Sequence, residues 1–586
     1  MTGLRVAIAQ INPHPQDIEG NTEKILSYIS RAKENGADVV VFAETIITAY
    51  AIGDKHKDRT FIAQNKRTLL EKIAPHCNDI VVILGFIDFD DHKHMKDGFF
   101  ARYNAYAVIQ HGKIVGQGRK TILVDDGVLD DSRHYLPGSP DEVQPVRVTI
   151  RGKEHSLGVL ICQDMWDDQE TVKPAQLLKK RGAELLIVLN ASPYYVEKLP
   201  VRIQVAQARV KETGLPLVYC NTVGVQDNGK NIIVFDGGSF ALDASGAIAH
   251  TSPQFAEDLS VHTIGTHSHI AKNHGRIPQL HDALVFALHD FFTKTGVFRG
   301  AVIGLSGGID SAIDACLLVE ALGAQRVLCV NMPSRFNSSL TRSAAQQLAK
   351  NLGCEYLVHP IQEVIEKKIA EYVRVAGVQP KTLTVENMQA RERGNILMTY
   401  AQERGAMVVG NGNKTEFQRG YATMYGDIIG ALMPLGDVNK VDVYALAQYC
   451  NTRAKKQLIP EEIFTVVPSA ELSDAQRVED GKGDPFDYWI ESPLGVEIVE
   501  RFTSDEELAD RFTRKILDPA LWTADPAGKT VYDKLTLAQF MQAAHQTRTA
   551  ISQSYFKRVQ APPIIIVSPR AFGFDYRETL FARRSR

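Results

Sequence analysis

Residues 304–311 read GLSGGIDS and lie between an apolar run and a helical one. Gly307 and Gly308 would let a backbone approach an anion closely, and the free N–H groups and dipole at the start of the next helix favour negative charge. The pattern suits a phosphate. No lysine follows the glycines, so this is not the GxxxxGK[ST] loop, and transfer of a γ-phosphate to an acceptor is not the chemistry it suggests. A serine-capped helix after a glycine turn is the plainer alternative, but Asp310 and Ser311 beside the glycines weigh against it. In the first half, Glu44, Lys120 and Cys162 each end or follow a strand-like stretch. Together they could supply a base, a cation for an oxyanion and a thiol nucleophile. Taken singly, a buried thiol is the ordinary reading of Cys162 and a surface cation that of Lys120.

Such residues need strands to carry them. Residues 4–10 read as a strand, Asn21 as the cap of a helix with Ile25, Ile29 and Ala32 on one face, Gly36 as its end, and 38–43 as a buried strand. Further strands are expected over 80–89, 102–109, 114–118, 156–162, 185–190, 217–221 and 231–242. Many strands with few helices between them indicate a layered α/β sandwich. A polar stretch then marks a linker, so the domains are expected at 1–262 and 280–586 with residues 263–279 between. Beyond it, a helix over 280–293, a strand over 300–305, a helix over 310–322 ended by Gly323 and a strand over 326–331 form a βαβ unit, the start of an open parallel sheet. Residues 478–488 read as a charged loop and the final ARRSR as a solvated basic tail.

Composition narrows the classes. The chain has 586 residues, 44% hydrophobic and 23% charged, as folded multidomain proteins do. A formal charge of -3 gives no overall field for nucleic acid or an anionic membrane. The start, MTGLRVAIAQINP, lacks a signal-peptide pattern, and the longest apolar runs fall short of the roughly 18 residues of a spanning helix, so a cytoplasmic protein is expected. Seven cysteines without a CxxC pair suit a reducing compartment.

SGGIDS resembles the pyrophosphate loop of the N-type ATP pyrophosphatases, which cleave ATP between its α and β phosphates and leave a substrate adenylate. ENMQARER (386–393), GNGNKTEFQRGYATMYGDIIG (410–430) and LGDVNKVDVY (435–444) are similar to segments of the NAD synthetases within that group. FAETIITAYAIGD, GRKTILVDDGVLDDSRHYLPG and LGVLICQDMWD look like the nitrilase or carbon-nitrogen hydrolase family, in its glutamine-hydrolysing branch fused to NAD synthetase. The resemblance spans nearly the whole chain. It implies an N-terminal αββα nitrilase-like sandwich and a C-terminal open parallel-sheet, Rossmann-like ATP pyrophosphatase domain.

The resemblance also implies roles. Glu44 is the base, Cys162 the nucleophile on the glutamine amide and Lys120 the oxyanion cation, with Tyr50, Asp126, Asp131, Trp166, Ser192 and Arg202 at the glutamine pocket. Asp126 and Asp131 stand where the family often has tyrosine and glutamate. Gly304, Ser306, Gly307, Gly308, Asp310, Ser311, Asn411 and Thr415 would bind ATP, and Asn387, Arg391, Glu416, Asp427 and Lys440 deamido-NAD. Mg²⁺ would be held by Asp310 and Glu416, hard oxygen donors. The implied reaction makes NAD, AMP, diphosphate and glutamate from deamido-NAD, ATP and glutamine, in a homo-oligomer with small-molecule substrates and no nucleic acid or membrane partner. A silent amidase half, leaving an ammonia-dependent enzyme, is the alternative.

Overall fold

Continuous apolar strands, buried on both faces, build the first half of the chain. The computed structural model describes residues 3–268, 270, 274–573 and 575–579. It divides into two compact units, Met1–Gly229 with Ile233–His274 and Lys230–Ile232 with Gly275–Arg586.

In the first unit one sheet runs in the order Asp258–Thr263, Arg5–Gln10, Val39–Phe42, Val81–His94, Phe100–Gln110, Lys113–Arg119. A second runs Ile248–Thr251, Phe240–Leu242, Leu217–Asn221, Leu185–Asn190, Lys153–Ile161, Val146–Ile150. Each has three parallel strands at its centre and antiparallel strands outside. The sheets meet face to face through Val6, Ile8, Val39 and Val41 from one and Val159, Ile161, Ile187 and Val218 from the other. The helix Ile18–Glu34 covers the first sheet with Ile25, Ile29 and Ala32, and Lys198–Thr213 covers the second with Ala206 and Val210. The result is the helix–sheet–sheet–helix sandwich.

Two local expectations are corrected. Asp17, not Asn21, caps the first helix, its carboxylate accepting from Gly20 N at 2.9 Å. Asn21 lies one turn inside, where its amide bonds His14 N, His14 O and Ile47 O, so it pins loops instead. The single strand expected over 231–242 is two, Ile232–Asp236 and Phe240–Leu242, because Gly237 and Gly238 turn the chain at φ +67° and +60°.

The second unit is built on a parallel sheet ordered Glu355–Val358, Val327–Asn331, Ala301–Gly304, Met407–Val409. Chain order reverses beside Ala301–Gly304, and the crevice beyond the carboxyl end of a strand at such a switch point is where open α/β sheets bind ligands. GLSGGIDS begins there, and the helix Ile309–Leu322 follows it. Val302, Val330, Ile361, Leu397 and Val408 form a core on this sheet. The helix Arg276–Thr295 starts inside the stretch expected as linker, with Arg276 paired to Asp442. Residues 269 and 271–273 of that stretch, and the basic tail, lie outside the described residues. No helix among the described residues is long and apolar enough to cross a membrane.

Candidate active sites

Glu44 follows the strand Val39–Phe42, where the chain turns sharply and Thr45 takes a left-handed conformation at φ +44°. The turn rests on Gly85, which has no side chain to intrude: a Cβ there would lie 2.3 Å from Thr45 N and 2.7 Å from Glu44 Cα. Backbone bonds from Ile46 N to Gly85 O and from Gly85 N to Ala43 O, both 3.1 Å, hold the contact. Glu44 is thereby aimed inward at 1% exposure. Its Oε1 accepts from Asn104 Nδ2 at 2.6 Å and Lys120 Nζ at 2.9 Å, and its Oε2 from Ala191 N at 2.8 Å.

Lys120 Nζ meets a second carboxylate, Asp131 Oδ2, at 2.8 Å. Burial disfavours the ammonium, but the charges of Asp131 and Glu44 outweigh it and hold its pKa well above the usual lysine value. Asp131 Oδ1 accepts from Tyr50 OH at 2.6 Å, and Oδ2 also from Val124 N at 3.2 Å. Both oxygens are therefore engaged by protein. Asp131, which the resemblance puts at the glutamine pocket, is buried against the lysine.

Cys162 opens a turn of 3-10 helix at the end of Lys153–Ile161, with φ +43° and 5% exposure. Asp164 fixes that turn, accepting from Thr121 N and Ile122 N at 2.9 Å and Ile161 N at 3.1 Å. The same carboxylate thus ties the cysteine turn to the segment carrying Lys120. Burial, and then the charge of Glu44, push the Cys162 thiol up to about 12, with Lys120 opposing. Cys162 thus rests as a thiol close enough to Glu44 for that carboxylate's charge to act on it.

The remaining first-unit residues divide. Arg202 is fully buried, gives both Asp236 oxygens bonds of 2.7 and 2.9 Å, and bonds Ser192 Oγ, Ser192 O and Pro193 O. With every guanidinium nitrogen engaged by protein, it braces the wall beside Ser192. Ser192 is buried under it. Lys198, which the sequence reading passed over, opens its helix with Nζ 4.5 Å from the centre of the Trp166 ring and 4.6 Å from that of Tyr195. Burial, then Arg202, draws its pKa down to about 8, and Cys162 is near enough to act on it. Asp126 is exposed and contributes charge near Lys198.

In the second unit Gly307 has φ +93°, and a Cβ on it would lie 2.1 Å from Thr341 O. Ser306 Oγ accepts from Gly308 N at 3.2 Å and lies 3.2 Å from Ser311 Oγ, giving a tight loop at the helix start. A cleft of about 290 Å³ opens over it, lined by Gly304, Ser306, Gly308, Asp310, Ser311, Asn411, Glu416, Asp427 and Lys440 among others. Lys440 Nζ pairs with Asp310 Oδ2 and lies 3.6 Å from Glu416 Oε1. Burial and the Asp310 charge push the Glu416 carboxyl well up. Two carboxylates thus share one ammonium on the cleft lining.

Four expected residues stand outside that lining. Gly307 shapes the loop from beneath. Thr415 is fully buried, its hydroxyl 2.8 Å from Ser492 Oγ and accepting from Lys440 N at 3.1 Å, so it supports Lys440. Asn387 Oδ1 accepts from Thr423 Oγ1 at 2.7 Å and braces the loop that carries Asp427. Arg391 is exposed and bonds Met424 O. Arg393 lines the cleft in its place, bonding Met332 O at 3.0 Å and Asn337 Oδ1 at 3.2 Å. Glu471, outside any sequence motif, also lines it, accepting from Ser338 N at 3.0 Å and Thr341 Oγ1 at 2.9 Å.

Comparison with known proteins finds both halves. A carbon-nitrogen hydrolase family model matches residues 5–269 and an NAD synthase model residues 280–516. The glutamine-dependent NAD(+) synthetase of Thermotoga maritima is 33% identical, with 98% of each chain covered, and that of Rhodobacter capsulatus 34%, with 89% of this chain and 93% of the relative covered. Among solved structures, the Acinetobacter baumannii glutamine-dependent NAD+ synthetase in complex with ADP is 28% identical at a TM-score of 0.73, covering 99% of this chain and 98% of that one.

Proposed function

The chain belongs to the glutamine-dependent NAD(+) synthetases, and we propose that its two sites divide that reaction as follows. Glutamine enters the first unit, where Glu44 takes the thiol proton as Cys162 attacks the side-chain amide carbon. Lys120, paired on both sides, faces the oxyanion. The proton returns to the leaving nitrogen, ammonia departs and a γ-glutamyl thioester remains. Water, deprotonated by Glu44, then releases glutamate and restores the thiol.

Substrate selection falls to other groups. Lys198, a cation held between two rings close to Cys162, suits the α-carboxylate of glutamine, while Tyr50 and Trp166 bound the pocket. Asp131 acts through Lys120, and Arg202 through Ser192.

In the second unit the deamido-NAD carboxylate attacks the α-phosphorus of ATP and diphosphate leaves. Ammonia then attacks the acyl carbon of the adenylate, and AMP leaves. The 304–311 loop cradles the phosphates, Lys440 and Arg393 offset their charge, and Asp427 borders the end where ammonia arrives. Asp310 and Glu416 are hard donors that now share one lysine, a set that fits Mg²⁺, which binds through one or two carboxylates and substrate phosphates. The ion would be held by those two residues and would neutralise charge on the leaving diphosphate. Substrate phosphates would complete the ion's coordination. A cytoplasmic homo-oligomer is our reading of its setting, checked by fractionation and light scattering.

The observation that carries the proposal is the Cys162 thiol beside the buried Glu44–Lys120–Asp131 set, in one chain with the SGGIDS cleft. The test is incubation with deamido-NAD, ATP, Mg²⁺ and either glutamine or ammonium, following NAD, AMP and diphosphate. Formation of ADP and phosphate in place of AMP and diphosphate would refute the adenylate route.

A further inference from the structure

The charged stretch 478–488 reaches the nucleotide cleft, where Asp484 is among the lining residues. Asp484 N donates to Pro468 O at 2.8 Å, which holds the stretch against the cleft wall that contains Pro468. Tyr488 then opens the helix Tyr488–Gly495 and is 2% exposed. Its hydroxyl lies 2.8 Å from Asp484 Oδ2 and 3.3 Å from Glu416 Oε1. The centre of its ring is 4.7 Å from Lys440 Nζ. One side chain thus touches three charged groups of the cleft.

The same helix meets the site again one turn later. Ser492 Oγ is 2.8 Å from the Thr415 hydroxyl, which accepts from Lys440 N. Glu491 O accepts from Gln418 Nε2. The helix is therefore bound both to Lys414–Arg419, which carries Glu416, and to the start of Lys440–Ala454.

Glu416 Oε2 accepts from Asn413 N at 3.3 Å and closes the cap of its own helix. Oε1 is left toward Lys440, at 3.6 Å, and toward Tyr488. A phenol with a pKa of about 10 carries its proton at neutral pH and can donate it. Asp484, the nearer acceptor, anchors the hydroxyl beside Glu416.

We propose that Tyr488 is a positioning residue of the adenylation site, its hydroxyl fixing the Glu416 carboxylate for the divalent ion. The inference rests on the adenylation reading given above. A carboxylate that ligates a metal is oriented by its own hydrogen-bond partners, and losing such a partner typically costs about 10- to 100-fold in metal affinity. Tyr488→Phe removes the hydroxyl alone and keeps the ring beside Lys440.

The experiment titrates the full chain with Mn²⁺ in the presence of ATP, without deamido-NAD, and follows free Mn²⁺ by electron paramagnetic resonance. Tyr488→Phe should raise the Mn²⁺ Kd roughly ten- to a hundredfold. The Mg²⁺ concentration for half-maximal NAD formation from ammonium should rise in parallel, while the deamido-NAD KM at saturating Mg²⁺ stays unchanged. A general loosening of the cleft would raise both. Asp484→Glu keeps the charge and moves the hydroxyl's anchor by one methylene. It should weaken Mn²⁺ binding in the same direction, and it decides the question if Tyr488→Phe does not fold. Unchanged Mn²⁺ affinity, or an equal rise in the deamido-NAD KM, would overturn the role given to Tyr488. Failure of the unsubstituted chain to bind Mn²⁺ with ATP would instead overturn the adenylation reading itself.

Discussion

Asp131 Oδ2 and Lys120 Nζ lie 2.8 Å apart, and neither residue is more than 1% exposed. With Glu44 the set holds two carboxylates for one ammonium. In the proposed reaction, when Glu44 accepts the thiol proton, Asp131 still pairs the ammonium, so the lysine is not left as an uncompensated buried charge as it faces an oxyanion.

Asp131→Asn should therefore lower kcat for glutamine hydrolysis roughly ten- to a hundredfold, the worth of one charge-assisted hydrogen bond. The glutamine KM should change little. Steady-state kinetics check it, and a large rise in KM with unchanged kcat would mean that Asp131 contacts substrate after all.

Cys162→Ala should abolish synthesis from glutamine, by about 10⁴-fold or more as loss of a nucleophile typically does. Synthesis from ammonium should persist. Parallel assays with the two nitrogen sources check it, and equal loss with both would contradict two separate sites.

Lys198→Met should raise the glutamine KM roughly ten- to a hundredfold through loss of a charged partner. The sign with pH is fixed by a lysine pKa drawn down to about 8: the cation is present below that pH and lost above it. Glutamine KM measured across pH 7 to 9.5 should climb on the alkaline side in the unsubstituted enzyme and stay flat in Lys198→Met.

Asp310→Ala or Glu416→Ala should cut NAD formation at least about tenfold with either nitrogen source, each removing a charged ligand. A chelator should do the same to the unsubstituted enzyme. Glutaminase activity, measured alone, should survive in part; full synthesis by both variants would exclude them as metal ligands.

Gly85→Ala puts a Cβ 2.3 Å from Thr45 N, and the backbone must move to admit it. A loss of roughly 1–3 kcal/mol in stability is expected, as for overpacked cores, with glutaminase activity falling further because Glu44 sits on the displaced turn. Denaturant unfolding and glutamine kinetics, measured together, check both.

Much of this was legible beforehand. Strands of valine, isoleucine and leucine announce a sheet covered on both faces, and two of them, Leu185–Asn190 and Leu217–Asn221, fall where the pattern sets them. The chemistry proposed for Glu44, Lys120, Cys162 and the SGGIDS loop rests on residue type and neighbours. Side-chain direction was less accessible. Arg391 and Arg393 are two positions apart, about 200° around a helix, so only one can face the cleft, and the bonds to Met332 and Asn337 decide for Arg393. Arg202 and Lys198 are one turn apart at the start of one helix. The buried partner Asp236, distant in sequence, claims the arginine and leaves the lysine for the pocket. Asp131 pairs with Lys120 from the same GRKTILVDDGVLDD stretch, a contact set by how the intervening loop folds back and not by helix or strand spacing.

The absent side chain of Gly307 has a consequence for protein engineering. Thr341 O fills the space beneath the phosphate loop, and Glu471 in turn fixes Ser338 and Thr341. Residues 304–311 are thus not a portable cassette. Grafted alone onto another parallel sheet, they would lack the floor that sets their curvature. A working transplant would have to bring the start of the Ser339–Leu352 helix and the Glu471 segment with it.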